Sequence, residues 1–179
     1  MNETSSQENW YAYKVFYNKI AAVKLRAEHD GLRCFIPMRL SERVEQGRVV
    51  RTEEPVIASL IFIRSARETM ERIRKSFRSR IGVYCHPGTS VPAEISDGEM
   101  ERFIFVTTTG CRTLEAVDER IVRGDRVRIT GGTFAGAEGY ITRVHGTKRF
   151  VVVIEGIAAI ATTFIPRTFI EKIENQYKQ

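Results

Sequence analysis

The sequence predicts an α+β fold in two parts, strands alternating with helices over the first hundred or so residues and then strands alone. Two patterns in the first part carry this. Ile20, Val23 and Ala27 recur at helical spacing directly after an aromatic, β-branched stretch at 10–16, and residues 56–63 form an almost continuous apolar run of strand length. The third observation is the stretch 124–144. There Val127 and Ile129 alternate with Arg126, Arg128 and Thr130, and four glycines (Gly131, Gly132, Gly136, Gly139) separate them from Tyr140, Ile141 and Val144. Period-two alternation gives a strand one buried and one wet face. Glycines between two such patterns indicate a shaped turn, because they reach backbone angles that a Cβ forbids.

In chain order, the polar residues 1–9 read as a disordered tail. Trp10-Tyr-Ala-Tyr-Lys-Val-Phe16 is the first strand. Asn18 stands where a helix N-cap belongs, and Asp30-Gly31 closes the helix that follows. A second strand over 33–40 runs into a charged hairpin turning near Gln46-Gly47, and Glu53-Glu-Pro55 breaks it before the apolar strand 56–63. Ala66, Met70, Ile73 and Phe77 mark a second helix, and residues 81–85 a short strand. Ser96-Asp-Gly-Glu99 fits a capping box opening a third helix, with Met100, Phe103 and Ile104 facing inward. This alternation implies an α/β sandwich layered on one sheet over 10–106. Residues 107–122 lack a clear period and read as a linker. Further strands over 148–155 and 158–166, and a closing segment at 169–173, complete a second domain over 123–175.

Composition narrows the function. The net charge is +6. It is about +3 over residues 1–106 (17 basic, 14 acidic) and +4 over 123–179 (9 basic, 5 acidic), so no single basic tail holds the excess. The balance suits a nucleic-acid binder. No apolar run approaches the roughly twenty residues of a membrane span, and the polar start does not read as a signal peptide. Cys34, Cys85 and Cys111 are scattered without a CxxC pair, which points to reduced thiols, a cytoplasmic location and no metal or other cofactor. His29, His86 and His145 lie in unrelated contexts, and GxSxG, phosphate-loop and HExxH motifs are absent. The expectation is a protein that is not an enzyme.

The strand, the glycine-punctuated loop with Phe134, and Gly139 opening the next strand resemble the KOW motif, which implies a small five-stranded β-barrel. An α/β domain opening with Trp10-Tyr11, a linker and a C-terminal KOW barrel is similar to the NusG family of transcription factors over nearly the whole chain. The Ile36-Pro37-Met38 strand running into a basic hairpin, Gly82-Val83, the Ile95-Ser96-Asp97-Gly98-Glu99 helix start and the Ile170-Glu171-Lys172 ending carry the likeness. Residues 36–63 resemble the specialised paralogues of the RfaH and UpxY kind. One departure stands out. Where the family has Phe-Pro-Gly-Tyr or a close variant, this chain has Ile57-Ala58-Ser59-Leu60.

The resemblance implies an N-terminal domain of the NusG type (NGN) that docks on the clamp helices of RNA polymerase and suppresses pausing or termination on particular operons. By position, Tyr11, Ile57, Leu60 and Phe62 would contact polymerase. Strand alternation makes Leu60 and Phe62 point one way and Ile57 and Ile61 the other. Lys19, Arg26, Arg78 and Arg80 would meet the non-template DNA strand. Phe134 matches an exposed loop phenylalanine that, with Ile165, would bind a ribosomal protein or termination factor. The expected state is a monomer. The alternative is a ribosome-associated RNA-binding KOW protein, which the α/β domain argues against, since ribosomal KOW proteins lack it.

Overall fold

The computed structural model describes residues 7–77, 80–110, 112–118, 122 and 124–173. It is a mixed α+β chain with antiparallel sheets and, among the described residues, three α-helices. By internal contacts the chain divides into two units, Met1–Ile36 with Ile57–Met100, and Pro37–Val56 with Glu101–Gln179.

The first unit holds a four-stranded sheet of β1 (Asn9–Val15), β2 (Cys34–Phe35), β5 (Leu60–Ser65) and β6 (Ile81–Val83), in the order β2-β5-β1-β6. In β1 and β5, Tyr11, Tyr13, Val15, Ile61 and Ile63 share one face. They pack with Val23 and Ala27 of α1 (Ile20–His29) and with Met70 and Ile73 of α2 (Arg67–Phe77). The opposite parity carries Trp10, Ala12, Leu60 and Phe62, all buried as well. A strand buried on both faces reads as the unbroken apolar run seen in the sequence.

Trp10 anchors the start of α3 (Asp97–Thr109). Its main chain exchanges hydrogen bonds with Ile95 at 3.0 and 2.9 Å, and its indole Nε1 donates to Asp97 Oδ1 at 3.0 Å. Arg64 donates to both Asp97 oxygens, at 2.8 and 3.0 Å, and pairs with Glu8. The Arg33 guanidinium lies 5.4 Å from the centre of the Trp10 ring. The expected cap is present: the Glu99 N–H donates to Ser96 Oγ at 3.3 Å.

Four boundaries differ from the sequence reading. The apolar strand begins at Leu60, not Val56. The chain leaves the hairpin at Pro55 and needs residues 56–59 to turn, closed by Leu60 N–H donating to the Ile57 carbonyl at 3.1 Å. The 33–40 strand is split at Ile36-Pro37 into β2 and β3 (Met38–Glu45). Asn18 is not the N-cap of α1; Lys19 takes that place without a side-chain hydrogen bond, and Asn18 sits at φ 53° in the turn before it. The segment read as a linker carries the last three residues of α3 and a strand, β7 (Glu115–Val117).

In the second unit β3 pairs with β4 (Arg48–Pro55) as a separate two-stranded sheet. Gln46 and Gly47 at its tip both have positive φ, the geometry of a tight hairpin turn whose twist matches its strands. The remaining strands are β8 (Asp125–Ile129), β9 (Glu138–Val144), β10 (Thr147–Ile154), β11 (Ala158–Ala161) and β12 (Ile170–Lys172). With β7 they form one antiparallel sheet in the order β12-β8-β9-β10-β11-β7. That is six strands, not five, and suits a KOW-type domain; the extra strand is β7, which pairs with β11. Gly139 is required by close approach, because a Cβ there would stand 2.4 Å from the Val151 carbonyl oxygen and 2.7 Å from the Phe150 ring.

Candidate functional site

The four apolar candidates of the first unit do not converge on one open surface. Tyr11 is fully buried in the helix-covered core, and its hydroxyl donates to Glu94 at 3.1 Å. Burial, and then Glu94, push its pKa up to about 12. Leu60 and Phe62 do share a face, opposite Ile61 and Ile63, as alternation requires, but both are 0% exposed. Ile57 lies in the turn outside β5, so the alternation argument does not apply to it; it is half-buried.

The basic candidates separate by partner. Arg26 is neutralised within its own helix, its Nε donating to both Asp30 oxygens at 3.1 and 2.9 Å. That pairing holds the Asp30 carboxyl below its ordinary range. Lys24 pairs with Glu28 one residue pair earlier. Lys19 and Arg80 are exposed and have no acidic partner among the described residues. Arg78 lies outside the described residues.

Lys19 and Arg80 belong to one corner of the sheet. β1 and β6 pair with Lys14 opposite Gly82 and Val15 opposite Ile81. The Val15 N–H then donates to the Ser59 carbonyl at 2.7 Å, and the Phe16 N–H to the Arg80 carbonyl at 2.8 Å. The chain next turns through Tyr17 and Asn18, both left-handed at φ 58° and 53°, a conformation uncommon for residues other than glycine and rarer for a bulky one. The turn leaves Phe16 39% and Tyr17 77% exposed. Their ring centres are 6.4 Å apart and their planes 56° apart. The ammonium of Lys14, also exposed and without an acidic partner among the described residues, stands 5.7 Å from the Phe16 ring centre. The sequence reading took Lys19 and Arg80 from this corner but counted Phe16 only as the end of the first strand, which in the structure stops at Val15. The signal it passed over was Phe16-Tyr17-Asn18 itself, two aromatics and an asparagine between a strand and a helix with no apolar partner in register.

In the second unit Phe134 is not at an exposed tip. Gly136 N–H donates to the Ile129 carbonyl at 2.7 Å and Ala137 N–H to the Phe134 carbonyl at 2.9 Å. The loop thus folds back and turns the ring inward, 6.3 Å from Phe150 and 4% exposed. Ile165 is buried too, whereas its neighbour Phe164 is 58% exposed. Arg126 and Arg128 converge on Glu138, at 3.3 and 2.7 Å, and hold its carboxyl below the usual range, Arg128 foremost.

Among the described residues no helix is long and apolar enough to cross a membrane. Cys34 and Cys85 are free thiols, and burial raises the Cys34 pKa. Cys111 lies outside the described residues.

The family model described as "NusG: Transcription termination factor nusG" matches residues 8–104. No curated protein matches the chain. Among solved structures, one titled "Domain interaction in Thermotoga maritima NusG" is similar, with 19% identity, a TM-score of 0.49, and coverage of 94% of this chain and 98% of that one.

Proposed function

The chain belongs to the NusG family of transcription factors, and we propose that within it the protein is a specialised elongation and antitermination factor. It rides on RNA polymerase through its first unit and suppresses pausing or termination on particular operons. The observation that carries the transcription-factor part of this reading is the family match over residues 8–104, nearly the whole α/β part; the likeness of residues 36–63 to the specialised paralogues supports the rest. No covalent chemistry is involved. A factor that binds the elongating conformation better than the paused one shifts the equilibrium by that difference alone.

The docking region is the β5 side of the sheet, towards the polymerase clamp helices. Ile57, half-buried in the turn leading into β5, is the candidate that reaches the surface. Leu60 and Phe62 are fully buried, so they touch polymerase only when their face is uncovered; otherwise they support the surface from beneath. Tyr11 serves the core. Lys19 and Arg80 are the cations left free for the phosphates of a non-template DNA strand, and such contacts make affinity fall with salt. In the second unit, with Phe134 and Ile165 buried, Phe164 is the most exposed phenylalanine among the described residues and the candidate for contact with a ribosomal protein or termination factor.

The test is co-purification with the full chain, followed by transcription in vitro across a terminator. Polymerase is expected to co-purify, and read-through to rise when the chain is added. A fall in read-through would make it a termination factor. Recovery of ribosomes without polymerase would favour an RNA-binding role at the ribosome.

A further inference from the structure

We infer that the second unit carries a binding site for a small di- or triphosphate, in the open cavity that Arg39, Arg112 and Arg149 line. The site uses none of the residues assigned above to polymerase, DNA or a further protein, and it does not depend on those assignments.

The cavity has a volume of about 410 Å³, within the roughly 300–1,000 Å³ of small-molecule sites. Three parts of the chain wall it. The hairpin of β3 and β4 brings Arg39 and Glu54, the turn after α3 brings Arg112, and β7 with β10 brings Glu115 and Arg149. All belong to the second unit. Small-molecule sites are mainly apolar. In this one, two leucines stand against five charged side chains and the hydroxyl residues Ser41 and Thr113. Such a lining selects a charged ligand.

The ion pairs decide the sign of that charge. Glu54 is shared by two arginines, Arg39 at 2.8 Å and Arg43 at 3.3 Å. Glu115 takes both Arg149 and the His145 ring, each at 2.7 Å. Arg112 is exposed and has no acidic partner among the described residues. Both carboxylates are oversubscribed, and cationic donors are left over. Arg39 gives its Nε and Nη2 to Glu54, and Arg149 gives Nη1 to Glu115. A guanidinium has five N–H donors in a planar fork, and these two side chains remain 41% and 30% exposed. Such forks match the oxygens of a phosphate.

Guanidinium groups arriving from three parts of the chain suit a ligand charged at more than one point. No aromatic side chain is among the described residues that line the cavity, so none of them stacks on a base. Recognition rests on the phosphates. Glu54 and Glu115 hold the guanidinium groups in place and compete with the ligand for them.

The experiment is isothermal titration calorimetry of the full chain, in low salt without divalent cations, with pyrophosphate, orthophosphate, citrate, ATP, GTP and CTP. Pyrophosphate should bind about tenfold more tightly than orthophosphate, the worth of one further charge-assisted hydrogen bond, and the three nucleotides should bind alike. Arg112→Gln should weaken pyrophosphate binding about tenfold. Arg167→Gln, at an exposed arginine outside the cavity, should not weaken it. Glu54→Gln and Glu115→Gln should each tighten it about fivefold by releasing guanidinium donors, a gain that a merely structural carboxylate would not produce. No heat with pyrophosphate, unaltered binding by Arg112→Gln, or an equal loss in Arg167→Gln overturns the site. Citrate binding as tightly as pyrophosphate overturns the assignment to phosphate. A strong preference for one nucleotide overturns recognition through the phosphates.

Discussion

The two ends of the short path from β5 to β1 are built on opposite terms. In β5, Leu60, Ile61, Phe62 and Ile63 are all 0% exposed, and Tyr11, Ala12 and Tyr13 in the paired strand are equally sealed. A few residues along, Lys14 is exposed, and past the strand's end at Val15 the chain leaves Phe16 and Tyr17 exposed and passes through two successive left-handed residues. Fully burying a large apolar side chain is worth about 1.5–3 kcal/mol, so the first region explains itself as stability. The second forgoes that gain for two rings and adds backbone strain. A single exposed aromatic means little; here two lie side by side, with the Lys14 ammonium 5.7 Å from one ring centre. Exposure together with strain, more than apolar character, separates a binding surface from a core in this unit.

Five substitutions can break or sharpen that contrast. The largest effect is expected from Leu60→Asp, which places a carboxylate at a fully buried site and should prevent stable folding. A folded variant that had merely lost polymerase would show that Leu60 faces a partner. Next, Phe134→Ala should destabilise the second unit by about 3–5 kcal/mol, read in thermal or denaturant unfolding, because the ring is packed against Phe150. Phe164→Ala, at an exposed site, should leave stability within about 0.5 kcal/mol.

Asp97→Asn probes the staple between Trp10, Arg64 and α3 through pH. The Arg64 guanidinium holds the Asp97 carboxyl below its ordinary 3.8, helped by the Trp10 indole. A depressed carboxyl stabilises the fold above its unfolded pKa and loses that contribution as pH falls through the folded value. The wild type should therefore lose stability below about pH 4, and Asp97→Asn should flatten this acid limb. An unchanged limb would remove Asp97 from the account. The smallest stability effect belongs to Tyr17→Ala, within about 0.5 kcal/mol, since 77% of the side chain is already exposed. A large loss would make Tyr17 structural and erase the contrast.

Much of this was legible in the sequence because it rests on pattern. The alternation in 10–16, the helical spacing of Ile20, Val23 and Ala27, and the serine cap at Ser96 each follow from local geometry, and the fold class and family resemblance came with them. The α1 cap was misplaced because Asn18 satisfies the same composition rule as an N-cap and as a left-handed turn residue. Phe134 was misread because a glycine-rich loop does not declare which way it folds; the two hydrogen bonds that turn the ring inward are main-chain bonds, invisible to residue type. β7 was taken for a linker because three residues carry no period, and pairing with β11 supplies the order. The burial of Leu60 and Phe62 could not be read from alternation, which tells which residues share a face and not whether that face is covered. The corner at Tyr17 was missed for a related reason. A tyrosine at positive φ is a tertiary fact.

The most direct test of the central claim is to map where the full chain sits on the genome, alongside RNA polymerase. The account predicts occupancy that coincides with elongating polymerase and is confined to a small set of operons. Occupancy independent of polymerase, or none on DNA with recovery on ribosomes instead, would contradict it.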